Sequence, residues 1–138
     1  MIISKQIKFD CAHMLSDYDG KCANLHGHTY HGTITLSGEV NPNTGMLIDY
    51  NEIKNLVDVF DHAVVFSSEG VRNIAEQELY DWVCRYGMRY IVIEGKSTAE
   101  NMAKYLADRF VQTWDNVRIA TVSLSETDGS FAVAEAVG

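Results

Sequence analysis

Residues 2–13 alternate between apolar and polar. Ile3, Ile7, Phe9 and Cys11 fall on one parity, broken only by Lys5, while Ser4, Gln6, Lys8 and Asp10 fall on the other. A period of two marks a strand with one buried face, and His13 ends the apolar parity. The pattern returns over about 28–40. Tyr30, Gly32, Ile34 and Leu36 share one face there, and Thr29, His31, Thr33, Thr35 and Ser37 the other. His28 falls on the apolar parity, and so does His26 if the strand starts early.

The segment 41–45, NPNTG, reads as a turn, and the period then changes. Asp49 and Glu52 have capping-box spacing, with Asp in place of Ser or Thr. Ile53, Leu56, Val57 and Phe60 follow at helical spacing. A second helix is expected over about 70–86, with Val71, Ile74, Trp82, Val83 and Tyr86 as its core face. Residues 89–94 form a short apolar run that reads as a buried strand. Ser97 to Glu100 is a capping box opening a third helix, which has Met102, Leu106 and Phe110 on one face. Two last strands, about 116–127 and 130–137, turn at Asp128-Gly129.

Strands, then helices, then strands predict an α+β fold: an antiparallel four-stranded sheet with helices on one face. Its 138 residues make one domain, 1–138. The link between the first two strands, 14–25, is long for antiparallel neighbours, since hairpin loops usually have about 2–5 residues. Long loops of this kind are often functional, and this one carries Cys22.

Composition works by exclusion. A hydrophobic fraction of 46% is enough for a real core without disulfides, so a metal here would serve chemistry rather than folding. The formal charge is −8 and the pI about 4.9, the wrong sign for a generic binder of nucleic acid or anionic membrane. No apolar run approaches the roughly 18 residues a spanning helix needs, and the N-terminus lacks a signal-peptide pattern. Cys11, Cys22 and Cys84 form no CxxC pair and no even framework, which fits a reducing compartment and a cytoplasmic location.

The candidate chemistry sits at the strand ends. His26-Gly27-His28 is a His-x-His pair whose rings share one strand face, and His13 ends the matching face of the neighbouring strand. Three imidazoles converging at one end of the sheet suit zinc, leaving a fourth position for water or substrate. His31 has the opposite parity and is left out. Cys22, four residues before His26 and next to Lys21, is either a thiolate of lowered pKa acting as base or nucleophile, a buried filler, or a fourth ligand that would close the site. Asp61-His62 is either an oriented acid–base pair or a polar ending to the first helix. Glu126 has the inward parity of Val122 and Leu124, so its carboxylate needs a partner. Glu100 serves at least the third helix's N-terminus.

Phe9-x-x-Ala12-His13, Cys22-x-x-x-His26-Gly27-His28, Asp61-His62, Thr98-Ala99-Glu100-Asn101 and Ser125-Glu126-Thr127 occur in the order seen in the 6-pyruvoyltetrahydropterin synthase family. The resemblance covers nearly the whole chain. It implies the tunnelling fold (T-fold), and a symmetric homo-oligomer with sites between subunits, a hexamer by preference. It implies Zn2+ on His13, His26 and His28, with Cys22, Asp61 and His62 catalytic. Glu126 would anchor the pterin, with Thr98 and Glu100 near it. The substrate would be a pterin triphosphate, 7,8-dihydroneopterin triphosphate, cleaved by a lyase. Three residues between Cys22 and His26 resemble the branch that forms 6-carboxytetrahydropterin for the 7-deazaguanine (queuosine) pathway. Other readings are the pyruvoyl-forming branch, a zinc hydrolase, and a silent pterin- or zinc-binding module. Lys21, Arg72 and Lys96 are the basic candidates for the triphosphate. Cys11, Phe60 and Ser97 depart from the residues usual in the family, and 67–95 is longer than in compact members.

Overall fold

A computed structural model describes residues Met1–Gly138. Strand β1 spans Ile2–His13 and β2 His26–Gly38, followed by α1 (Tyr50–Val57), β3 (Ala63–Phe66), α2 (Ile74–Arg85) and β4 (Tyr90–Val92). Helix α3 (Ala99–Thr113) leads into β5 (Val117–Ser125) and β6 (Ala132–Val137). The α+β class and the main elements are as expected, but the sheet is not four-stranded and antiparallel. It has six strands in the order β4-β3-β1-β2-β5-β6. The β1–β2, β2–β5 and β5–β6 pairs are antiparallel, whereas β3 runs parallel to both β1 and β4. Strand β3 escapes the sequence pattern because it is only AVVF, too short to show a period, directly behind a helix.

The inward parity of β1 and β2 makes the core. Phe9 stacks on Tyr30 at 5.2 Å between ring centroids and on Phe60 at 5.4 Å. Each such side chain contributes about 1.5–3 kcal/mol by leaving water. Helix α3 covers this layer with Met102, Leu106 and Phe110, packing on β5 and β6. Helix α1 adds Ile53 and Val57 beside β1. Lys5, the polar residue on the inward parity, lies over the Tyr50 ring, so its stem covers apolar surface while its charge faces π electrons.

The helix starts have side-chain caps. Asp49 accepts from Asn51 N at 2.8 Å and Asn73 from Glu76 N at 2.9 Å. The third cap is Thr98 rather than Ser97: Thr98 Oγ1 accepts from Asn101 N, while Ser97 is fully buried and used elsewhere.

Helix α2 reverses its expected polarity. Of its candidate core, only Val83 is buried; Ile74 is 79% exposed, Trp82 45% and Tyr86 61%. The residue it buries completely is Glu76. Strand β4, expected to be buried, is instead a half-open edge, with Tyr90 and Val92 exposed. No helix is long and apolar enough to cross a membrane.

The register of β2 against β5 shifts between Ser37 and Gly38. A Cβ on Gly38 would lie 1.9 Å from the Asn116 carbonyl oxygen, which backbone cannot yield without losing the pairing. Gly38→Ala is expected to lower stability by about 1–3 kcal/mol, read as a fall in the urea midpoint at unchanged slope.

Candidate functional site

The register of β1 and β2 sets His13 opposite His26 and Cys11 opposite His28. Alternation then puts three imidazoles on the sheet face that carries Phe9 and Tyr30. Ring centroids are 4.6 Å apart for His13 and His26, 4.8 Å for His26 and His28, and 5.4 Å for His13 and His28. Gly27 lets the strands approach here, since a Cβ would come within 3.1 Å of the Cys11 carbonyl oxygen.

Backbone carbonyls choose the tautomers. His13 Nδ1 donates to Ser97 O at 2.5 Å, and His26 Nδ1 donates to Asn24 O at 2.6 Å. A carbonyl only accepts, so each Nδ1 carries the hydrogen and each neutral ring presents a lone pair at Nε2. These two Nε2 atoms are 3.2 Å apart, where two lone pairs repel unless a proton or cation lies between them. Burial holds the His13 pKa below its usual value, which keeps the ring in its neutral, ligating form. His28 Nε2 is buried without a hydrogen-bond partner. Glu126 Oε1 is 3.0 Å from it, close in distance but misaligned, and an unpartnered buried nitrogen costs about 1–3 kcal/mol.

The ligand atoms of His13, His26, His28 and Glu126 all lie within 4.8 Å of one another. Imidazole nitrogens with one carboxylate oxygen suit a first-row transition-metal ion. Such an ion would satisfy the orphaned nitrogen and separate the facing lone pairs, so the residues fit a metal.

Glu126 follows β5 on the inward parity, as expected. Its Oε2 accepts a long hydrogen bond, 3.4 Å, from the hydroxyl of the fully buried Tyr30. Burial above all raises the Tyr30 pKa, so the phenol keeps its proton and remains a donor. Glu100 and Glu126 line one cavity of about 200 Å³ together with Thr127, Ser130 and the exposed Phe131. Thr98 is not on its wall.

Cys22 lies in a 3-10 turn, Lys21–Ala23, tied to the end of β1 by Leu15 N donating to Cys22 O at 2.9 Å. Its half-buried sulfur is not among the clustered ligand atoms, so the cluster is not closed by thiolate. Cys11, by contrast, is buried and its thiol is pushed up to about 12, which makes it inert.

Asp61 and His62 do form an oriented pair, with Oδ2 3.0 Å from Nδ1. The Asp10 amide, donating to Asp61 Oδ1 at 3.0 Å, holds the Asp61 carboxyl below the usual range, helped by His62 and Arg89. His62 sits at φ 58°, a left-handed conformation that few non-glycine residues adopt, and its own amide donates to Asp10 O. Neither residue is among the clustered ligand atoms. His62 borders a cavity of about 470 Å³ with Asp10, Ala12, Gly27 and Thr29, whose wall also includes Cys11 and His28.

Sequence reading misses Tyr30, which it counts as core, and the carbonyls of Ser97 and Asn24. The one signal for Tyr30 is its place two residues beyond His28 on the same face. Two of the three basic candidates are engaged: Arg72 Nε donates to Ser67 O at 2.7 Å and Lys96 Nζ to Ser16 O at 3.0 Å.

Comparison with known proteins adds the following. The profile of the family described as 6-pyruvoyl tetrahydropterin synthase matches residues 2–136. The 6-carboxy-5,6,7,8-tetrahydropterin synthase of Haemophilus influenzae is 31% identical over 137 residues, covering 94% of each chain. A putative 6-carboxy-5,6,7,8-tetrahydropterin synthase of Pyrococcus abyssi is 33% identical over 132 residues, covering 91% of this chain and 83% of its own. Among solved structures, the 6-pyruvoyl tetrahydropterin synthase of Plasmodium falciparum superposes with a TM-score of 0.65 at 19% identity, covering 100% of this chain and 98% of its own. This last likeness concerns the fold.

The cluster makes a direct prediction. Equilibrium dialysis is expected to find one divalent transition-metal ion per chain, with His13→Ala weakening binding by more than the roughly 10–100-fold that loss of an outer-layer partner costs. Retention of one tightly bound ion by the variant would show that His13 is not a ligand.

Proposed function

The chain belongs to the 6-pyruvoyl tetrahydropterin synthase family, and from that premise we propose that it is a zinc-dependent 6-carboxy-5,6,7,8-tetrahydropterin synthase. It would convert 7,8-dihydroneopterin triphosphate and water to 6-carboxytetrahydropterin, triphosphate and acetaldehyde, a step in making 7-deazaguanines. The observation that carries the reading is the orphaned Nε2 of His28 inside a three-imidazole cluster, with Glu126 shared between that cluster and a cavity of about 200 Å³. The names of the relatives support the carboxy product over the pyruvoyl one, as does the three-residue spacing from Cys22 to His26.

His13, His26 and His28 would hold the zinc, whose Lewis acidity makes the C–H and O–H protons of the substrate side chain easier to remove. The other roles belong to the chain's own groups. Glu126 accepts the two parallel N–H donors of the pterin's amino-pyrimidinone edge, as a carboxylate does from arginine. In the chain alone one of its oxygens accepts from Tyr30 and the other lies 3.0 Å from His28 Nε2 without a hydrogen bond. Gripping the pterin therefore requires it to leave His28, which a metal on that nitrogen makes affordable. The Tyr30 hydroxyl and the Phe131 ring flank that grip. Cys22 as thiolate takes a proton from the side chain.

His62, oriented by Asp61, carries the second proton. Because the His62 side chain is 75% exposed and lies outside the ligand cluster of its own chain, it would serve a cluster in a neighbouring copy. This supports a homo-oligomer, a hexamer by preference, with each site assembled between subunits. The exposed Lys21, beside Cys22, is the one basic candidate left for the triphosphate.

Incubation with 7,8-dihydroneopterin triphosphate is expected to release acetaldehyde and triphosphate, and a chelator to stop both. A pyruvoyl product without acetaldehyde would assign the chain to the other branch, and tight pterin binding without turnover would make it a binding module. Cys22→Ala is expected to lower kcat by about 10²–10⁴-fold, the usual contribution of a positioned base. Near-normal turnover in that variant would remove the thiolate from the scheme.

A further inference from the structure

One carboxylate in the interior has no part in the scheme above. Glu76, in the first turn of α2, is fully buried, and three hydrogen bonds converge on it. Ser16 Oγ donates at 2.6 Å, Ser67 N at 2.7 Å and Ser67 Oγ at 3.2 Å. No ion pair of the chain includes it. Its charge is supported instead by these donors and by the amide dipoles of the helix start. Lys96 and Arg72 hold the same two serines by their carbonyls, so each serine is clamped between a cation at its backbone and Glu76 at its hydroxyl.

Capping does not account for this arrangement. In a capping box the glutamate turns back to the backbone N–H of the cap residue. Here that group, Asn73 N, goes to Ser16 Oγ at 3.0 Å, and Asn73 itself caps the helix through Glu76 N. Glu76 is thereby released from the helix end and turned into the protein.

The path inward reaches the metal cluster. Ser67 Oγ, while donating to Glu76, accepts from Ser97 N at 3.2 Å. Ser97 places its carbonyl on His13 Nδ1 and its hydroxyl on Met14 O. Ser16 follows His13 by three residues. Glu76 therefore grips both the chain leaving His13 and the turn whose carbonyl sets the ring.

We propose that Glu76 is a positioning residue for the metal ligand His13, fixing the plane and tautomer of its imidazole through Ser67 and Ser97. The inference rests on the metal reading of the three histidines. Metal-ligating histidines usually depend on the group that holds their second nitrogen, and loss of that group costs about 10–100-fold in metal affinity. Glu76 acts one layer further out, so the lower end of that range is the expected effect.

The test uses the full chain and Co2+, whose ligand-field bands report coordination geometry directly. Ser67→Ala and Glu76→Gln are each expected to weaken Co2+ binding about tenfold, measured by competition with a chromophoric chelator, and to shift the bands. Gly38→Ala, remote from the site, is the comparison: its metal-free thermal midpoint falls while affinity and bands stay put. A purely structural Glu76 would give the pattern of Gly38→Ala. Unchanged affinity and bands in folded Ser67→Ala would overturn the proposal even if Glu76→Gln failed to fold. Wild-type protein that binds no Co2+ would instead overturn the metal reading, and this inference with it.

Discussion

Strand register has no partial settings. Slipping β1 by one residue against β2 would send Phe9 and His13 to the outer face and bring Lys8 and Ala12 inward. The pairing from Ile2↔Ser37 to His13↔His26 is therefore what the rest of the molecule depends on. It is held by the apolar part of the same face, where Phe9 and Tyr30 stack across the two strands and Phe60 closes over them. The imidazoles are the last rung of this ladder. Hydrophobic burial is non-directional, but the pleat converts it into direction, and three ring nitrogens meet because the residues below them leave water together.

Around that rung lies a polar layer built to a different rule. Two of the three ligating rings are held directly by backbone: the Ser97 carbonyl for His13 and the Asn24 carbonyl for His26. Carbonyls have no alternative protonation state, so the tautomers do not change with conditions that would titrate a side chain. The candidate reacting groups lie further out. Glu126 stands between the cluster and the cavity beside it, and Cys22 sits on a short turn with its sulfur half-exposed. Buried ligands with more exposed reactants are a sound division of labour for a site that must hold an ion and also admit a substrate.

How much of this could be read beforehand follows from the kind of force involved. The alternation in 2–13 and 28–40 reports burial directly, so β1, β2 and the convergence of His13, His26 and His28 were legible, and Glu126 was placed inward for the same reason. The helix α3 stripe was equally plain. Strand β3 was not, because AVVF shows no period and its pairing with β1 is a long-range choice. The core face expected of α2 fails at Ile74, Trp82 and Tyr86 because hydrophobicity alone does not decide burial, whereas the helix is anchored by a carboxylate. Asp61-His62 was recognisable as a pair, but which side of the sheet it faces depends on a left-handed turn at His62 that no composition rule announces.

The outward face of α2 has a bearing on how copies of this chain meet. Ile74, Trp82 and Tyr86 project into water, with Met88 and Tyr90 exposed just beyond them, on a molecule of formal charge −8. Long-range repulsion and short-range adhesion thus act on the same pair of bodies. Added electrolyte shortens the first, to a reach of about 8 Å at physiological ionic strength, and leaves the second intact. Any self-contact through this surface would tighten with rising salt, the reverse of an association driven by opposite charges.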